Sequence, residues 1–255
     1  MKVFNDYAYY YNAFYSDKDY RAEAEIVNKL INEYSSIRVK NILNLGCGTG
    51  RHDVKLESIG DYSITGIDLS PQMIEIAKGS VARGHKSPTF YVADIRDYED
   101  DYMYDAVISL FHVMSYQNSN ADLKKTIMTA YNNLEQDGVF IFDAWYGPGV
   151  LTDRPTVRMK TVSDERNTII RYANPVMHSE DNVVDVNYDV LIIDKVTSIT
   201  KNIQETHHMR YFFIPEIRYM LEENGFQFIK CVDCNTLRNT DFNTWTAFFV
   251  AKKKG

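Results

Sequence analysis

The sequence runs to 255 residues, 45% hydrophobic and 25% charged, which suits one sizeable core, alone or with a sub-domain. A net charge of −7 withholds general electrostatic help from a nucleic-acid partner, and no apolar run nears the ~20 residues of a membrane span. An odd set of cysteines, Cys47, Cys231 and Cys234, argues against a disulfide framework and for the cytoplasm.

The tyrosine-rich opening "MKVFNDYAYYYNAFY" lacks a signal-peptide core, and "YRAEAEIVNKLINEY" then reads as an amphipathic helix. From residue 41 strands and helices alternate. "NILNLG" is a strand and "GRHDVKLESIG" a helix capped by Gly60. "YSITGID" is a second strand, and Ser70 and Pro71 open the helix "PQMIEIAKGSVARG". "TFYVAD" and "YDAVISLF" are further strands, "NADLKKTIMTAYNNL" a helix and "GVFIFDAW" a fifth strand. Near-continuous apolar strands separated by helices predict a doubly wound, mostly parallel α/β sheet.

After Trp145 the pattern changes. "VRMKTV", "NTIIRYA", "NVVDVNYDVLIID" and "ETHHMRYFF" alternate apolar and polar residues with no helix between them, the signature of an antiparallel sheet. "PEIRYMLEENGF" is a helix ending near Gly225, and "QFIKCVD" and "WTAFFVAKK" return to the core. The expected organisation is a core of residues 1–145 and 214–255, its N-terminal helices forming a lid, with residues 146–213 inserted as a sheet on the acceptor side. "CVDC" has metal-ligand spacing but no second Cys/His pair, so no metal is expected.

The turn "LGCGTG" sits between a strand and a helix, where a ligand can press against the backbone near the helix N-terminus. Gly46, Gly48 and Gly50 give G-x-G-x-G, whereas a dinucleotide fingerprint would need glycine at Arg51. Asp68 closes the second strand, placed to accept both hydroxyls of a ribose. Asp94 closes the third, placed to accept from an adenine amino group, with the Ile95 N–H facing a ring nitrogen. Three strand ends thus converge on an adenosine-shaped ligand.

With "TGIDLSPQMIEIA", "VADIRDY", "YDAVISLFHVMSY" and "LEQDGVFIFD" following in order, the chain resembles the class I S-adenosylmethionine-dependent methyltransferases. The resemblance implies a seven-stranded Rossmann-like core, S-adenosylmethionine as cofactor and S-adenosylhomocysteine as product. Beyond the residues above, it implies cofactor contacts from Asn44, Cys47, Leu69, Met73, Leu110 and Phe111. Asn44 stands where many relatives carry an acid, which assigns it to orienting the turn.

The segment "YYYNAFYSDKDYRAEAEIV" and the inserted sheet resemble amino-sugar N-methyltransferases acting on nucleotide-linked deoxyhexoses. That resemblance makes Tyr20 a contact of the cofactor carboxylate and brings His112 and Tyr116 to the acceptor amine as catalytic residues. Tyr11, Tyr15, Trp145, Tyr146, His208 and Arg210 are the corresponding substrate-side residues. Tyr11 and Tyr15 either line the pocket or pack, His208 and Arg210 face either the cleft or solvent, and Arg210 either contacts a diphosphate or forms a salt bridge within the sheet. The implied function is N-methylation of a small molecule, an amino sugar on a nucleoside diphosphate, by a monomer or homodimer. O- or carboxyl-methylation of another metabolite and non-catalytic cofactor binding are the alternatives. A nucleic-acid methyltransferase would carry Asn/Asp-Pro-Pro-aromatic where this chain has "LFHVMSY".

Overall fold

The computed structural model describes residues 8–81 and 88–254. Two helices come first, α1 (Ala8–Phe14) and α2 (Tyr20–Tyr34). Asp19 caps α2 by accepting from Ala22 N. There follow β1 (Asn41–Leu45), α3 (Arg51–Gly60), β2 (Ser63–Asp68), α4 (Pro71–Ser80), β3 (Thr89–Val92), β4 (Tyr104–Ser109), α5 (Asn120–Asn133) and β5 (Leu134–Tyr146). The expected extension of α4 through residues 82–84 lies outside the described residues. After a short α6 (Gly147–Thr152) come β6 (Arg158–Ser163), β7 (Asn167–His178), β8 (Val183–Asp194) and β9 (Thr200–Phe212). The chain closes with α7 (Ile214–Glu223), β10 (Phe226–Asp233) and β11 (Thr246–Lys253).

Seven strands form the core sheet. β3, β2, β1, β4 and β5 pair in parallel, then β11 lies antiparallel to β5 and β10 antiparallel to β11. Strand order reverses at β1, between β2 and β4, the kind of position where open α/β sheets bind ligands. Alternation along each strand feeds two opposite cores. Leu43, Val107, Phe140 and Phe142 join the cluster that includes α5 and α7 residues. Their neighbours Ile42, Ala106, Ile108, Val139 and Ile141 join Val27, Leu30 and Ile31 of α2. Both faces are covered, so the strands read as apolar runs.

The inserted strands pair antiparallel in the order β6-β7-β8-β9. They are not a detached lobe. Trp145 and Tyr146 of β5 pair in parallel with Tyr211 and Phe212 of β9, continuing the strand order from core to insert. From the far side α1 joins in. Phe14 is fully buried among Ile169, Val190, Ile192 and Ile203 of the insert.

Two sequence expectations need correction. The left-handed cap of α3 is Asp61 at φ 54°, not Gly60, which is the last helical residue. Gly60 is glycine for packing, because a Cβ there would lie 1.9 Å from the Tyr62 ring. The glycine- and proline-rich "GPGVLT" after β5 had no predicted element, yet it forms α6 with Pro148 in its first turn.

Candidate active site

The three turn glycines have positive φ, 83°, 55° and 70° at Gly46, Gly48 and Gly50. Their surroundings differ. A Cβ on Gly46 would stand 2.5 Å from the Val113 side chain, and one on Gly50 2.5 Å from Phe90. A Cβ on Gly48 would meet nothing within 4 Å. Gly48 therefore opens onto the cavity, while Gly46 and Gly50 accommodate the protein's own side chains. All three were expected to make room for a ligand.

Asp68 is held beneath this turn. Its Oδ2 accepts from Gly48 N at 2.9 Å and its Oδ1 from Ser70 N at 2.8 Å. Burial pushes its pKa up, against those two donors. Each oxygen keeps a further lone pair for a hydroxyl. Asn44, 1% exposed, donates from Nδ2 to both oxygens of Asp53, at 2.9 and 3.1 Å. Asp53 is fully buried, and desolvation outweighs the Asn44 bond to raise its pKa to about 6. An acid at residue 44 would set two carboxylates against each other, so the asparagine is the natural complement of Asp53.

The chain leaves β4 through a strained step. Phe111 and His112 both have φ 65°, each costing on the order of 1–3 kcal/mol for a side chain with a Cβ. Asp143 of β5 secures the step, accepting from His112 N at 3.1 Å. Its Oδ2 lies 2.7 Å from His112 Nδ1, outside hydrogen-bond geometry. Phe111 is turned into an aromatic cluster, with Tyr15 edge-on at 5.1 Å and the Lys18 ammonium 3.9 Å from its ring centre.

A short 3-10 turn (Val113–Tyr116) follows. The Tyr116 hydroxyl is 2.7 Å from Nδ1 of His207 on β9. His207 is 3% exposed, and its Nε2 lies 3.2 Å from Glu205 Oε2. Tyr188 of β8 packs edge-on to the same imidazole at 4.9 Å, its hydroxyl pKa pushed to about 12 by burial.

One cavity unites these pieces. Around the glycine turn it is lined by Tyr20, Asn44, Gly46, Cys47, Gly48, Asp68 and Met73. Leu110, Phe111, His112 and Tyr116 line it too, with Tyr11, Tyr15 and Trp145. Sequence reading missed Thr49, Arg51, His52, Val113, Tyr188, His207 and Met209, which also line it. The Arg51 guanidinium lies 5.2 Å from the Tyr20 ring, a cation beside the glycine turn.

Six expected residues lie elsewhere. Leu69 is 61% exposed, and Ile95 and Tyr146 are buried without lining the cavity. Asp94 is engaged on both oxygens by Arg96, at 2.6–3.1 Å, so an adenine amino group would have to share that carboxylate. His208 and Arg210 are one residue out of phase with His207 and Met209 and face the opposite side of β9. There His208 pairs with Asp185, and Arg210 pairs with Glu216 and Asn120 Oδ1. That leaves Arg210 consumed by its neighbours rather than available to a diphosphate in this cavity.

Residues 42–138, which contain the glycine turn, Asp68 and the strained step, match the family model of a methyltransferase domain. The chain carries a methyltransferase domain, for which S-adenosylmethionine is the cofactor. This methyltransferase is similar to a putative methyltransferase of Geobacillus sp., 28% identical over 55% of the present chain and 57% of that one. It is 26% identical, over 72% of its length, to the dTDP-3-amino-3,4,6-trideoxy-alpha-D-glucopyranose N,N-dimethyltransferase of Streptomyces venezuelae, covering 76% of that enzyme. Its fold superposes on an S-adenosylmethionine-dependent methyltransferase from Clostridium acetobutylicum with a TM-score of 0.80, 21% identity and full coverage of both chains.

The residues present fit the cofactor. The open face of Gly48 admits a group against the backbone, and Asp68 offers acceptors to a ribose diol. Arg51 and Tyr20 offer a cation and a hydroxyl to a carboxylate. Among the described residues no helix is long and apolar enough to cross a membrane.

Proposed function

We propose that the acceptor is the amine of a small molecule, an amino sugar carried on a nucleoside diphosphate. The observation that carries this reading is the continuous cavity from the glycine turn to the inserted sheet. Its acceptor end is a wall of aromatic and imidazole groups, Tyr116, Trp145, Tyr188 and His207, with no lysine or arginine among them. Such a wall accommodates a cationic or neutral amine, since aromatic faces attract cations. The Streptomyces relative, which methylates an amino sugar linked to dTDP, supports the choice of substrate.

Bound at the cofactor end, S-adenosylmethionine supplies an electrophilic methyl group on a sulfonium. The chain's residues place the amine lone pair in line behind that methyl and exclude water, which accounts for most of the acceleration. Asp68 anchors the ribose. Phe111 and the Tyr11–Tyr15 pair cover the middle of the cavity. His112, its backbone held by Asp143, and Tyr116 stand at the acceptor. The test is a panel of dTDP-linked amino sugars with methyl-labelled cofactor, alongside hydroxyl and carboxyl acceptors. Labelling of an amino sugar alone supports the reading, and labelling only of a hydroxyl or carboxylate overturns it.

A further inference from the structure

The acceptor wall contains a chain of polar groups that sequence reading did not find. Tyr116 OH sits 2.7 Å from His207 Nδ1, and His207 Nε2 sits 3.2 Å from Glu205 Oε2. Tyr116, on the 3-10 turn, and His207, on β9, both line the cavity. Glu205 is two residues before His207 on the same strand, with its side chain 8% exposed. A carboxylate accepts only, so it draws the imidazole proton to Nε2 and leaves Nδ1 to accept from the tyrosine hydroxyl. Among the described residues, Tyr188 also packs on this imidazole, and burial keeps its hydroxyl neutral. His112 and Asp143 form a separate pair on the β4–β5 side.

We propose that Tyr116, His207 and Glu205 form a proton relay that takes the proton from the acceptor ammonium before methyl transfer. The relay rests on the amine reading above and deepens it. An amine arrives in neutral water mostly as ammonium, which has no lone pair to attack with. Tyr116 O accepts the ammonium proton as its own proton passes to His207 Nδ1. Tyrosine ends neutral, and the imidazolium is stabilised by Glu205. The freed amine attacks the methyl carbon; the N–C bond forms, the C–S bond breaks, and sulfur keeps the electron pair as a neutral thioether. The new secondary ammonium retains its proton until the relay, having lost the first proton to solvent, accepts another. A carboxylate acceptor is already ionised and needs no relay, so the arrangement favours an amine. Tyr116 is the catalytic residue of the three; His207 and Glu205 act through it as positioning residues.

Two measurements test the relay. Nitrogen NMR of histidine-labelled protein without ligand, with His207→Gln assigning the signal, should show His207 protonated at Nε2 and accepting at Nδ1. Glu205→Gln should erode that preference. A wild-type imidazole protonated at Nδ1 would overturn the proposal, whatever the acceptor proves to be. With an amino sugar identified by the panel, His207→Gln should lower turnover by about 10²-fold near neutral pH with cofactor affinity unchanged by calorimetry. Rising pH should restore its rate as free amine accumulates in solution. A His207→Gln enzyme that binds cofactor and keeps the wild-type rate and pH profile would also overturn the relay. If no amine in the panel is turned over, the substrate reading falls and the ammonium step with it, while the tautomer measurement still decides whether the three groups are poised to pass a proton.

Discussion

Asn44 and Asp53 show how one residue's identity fixes another's. Asp53 is buried against Asn44 with its pKa raised to about 6, above an unfolded value near 3.9. Between those two pH values the folded state holds more protons than the unfolded state, so stability falls as pH rises through this window. The penalty is on the order of 3 kcal/mol at neutral pH. Asp53→Asn should remove it, raising stability at pH 7 and flattening the dependence between about pH 4 and 6. Urea denaturation at several pH values checks this, and an unchanged slope would mean Asp53 is not the group responsible. Asn44→Asp should do the opposite, destabilising the fold most at high pH. Asp68 is a different kind of buried acid, because its oxygens serve the backbone of the turn as well as a ligand. Asp68→Ala should weaken cofactor binding by ~1.5–3 kcal/mol, read by calorimetry. Unaltered affinity would displace the ribose from this position.

At the level of elements, the 3-10 turn and the glycine turn are interlocked. Val113 fills the space beside Gly46, so the glycine turn also seats the segment carrying Tyr116. Gly46→Ala would combine an unfavourable φ of 83° with a 2.5 Å clash. It should therefore damage cofactor affinity and turnover together, unlike His207→Gln. Calorimetry and steady-state rates on the same preparation distinguish the two patterns. Much of this region was legible in the sequence because its grammar is local. Glycine spacing, the strand-end acid and the Ser70–Pro71 cap each declare themselves within a few residues. The phase of β9 was not legible. "THHMR" offers histidine to both faces, and the choice is made by pairing with β5 at Tyr211 and Phe212 and with the whole length of β8. A one-residue slip in a strand moves every side chain to the other face, which is why His208 and Arg210 were expected where His207 and Met209 stand. Asp143 escaped for a related reason, since its partner His112 lies 31 residues away on the neighbouring strand end.

On the scale of the whole molecule, the cavity has two ends owned by different parts of the fold. The core supplies the cofactor end and the insert supplies Tyr188, His207 and Met209. Tyr188→Ala and Met209→Ala should raise the acceptor KM while leaving cofactor affinity within about twofold, an order-of-magnitude expectation for sites that share no partner. A loss of cofactor binding in either variant would show that the two ends are not separable. The doubly wound core and the antiparallel insert were legible in periodicity, whereas the junction between them, where β5 meets β9, depends on two residue pairs that no local pattern announces.

The placement of α1 bears on how such a protein could be recombined. Phe14 is buried in the insert's own apolar cluster, and Lys160 of β6 donates to the Phe14 carbonyl at 2.6 Å. On its other side Asn12 Oδ1 accepts from the Thr49 hydroxyl at 3.0 Å and Arg51 donates to the Tyr15 carbonyl at 3.4 Å. The insert's apolar cluster is therefore encoded in two separate stretches, one near the start of the chain and one past its middle. A chimaera that grafted residues 147–212 from a relative with another acceptor would set a foreign sheet against a native helix. Grafting the first 17 residues with it would carry the matching partner for Phe14's cluster and Lys160. Exchange of acceptor preference should then require both pieces to travel together, and a single-segment swap should yield a protein that still binds cofactor but closes over nothing.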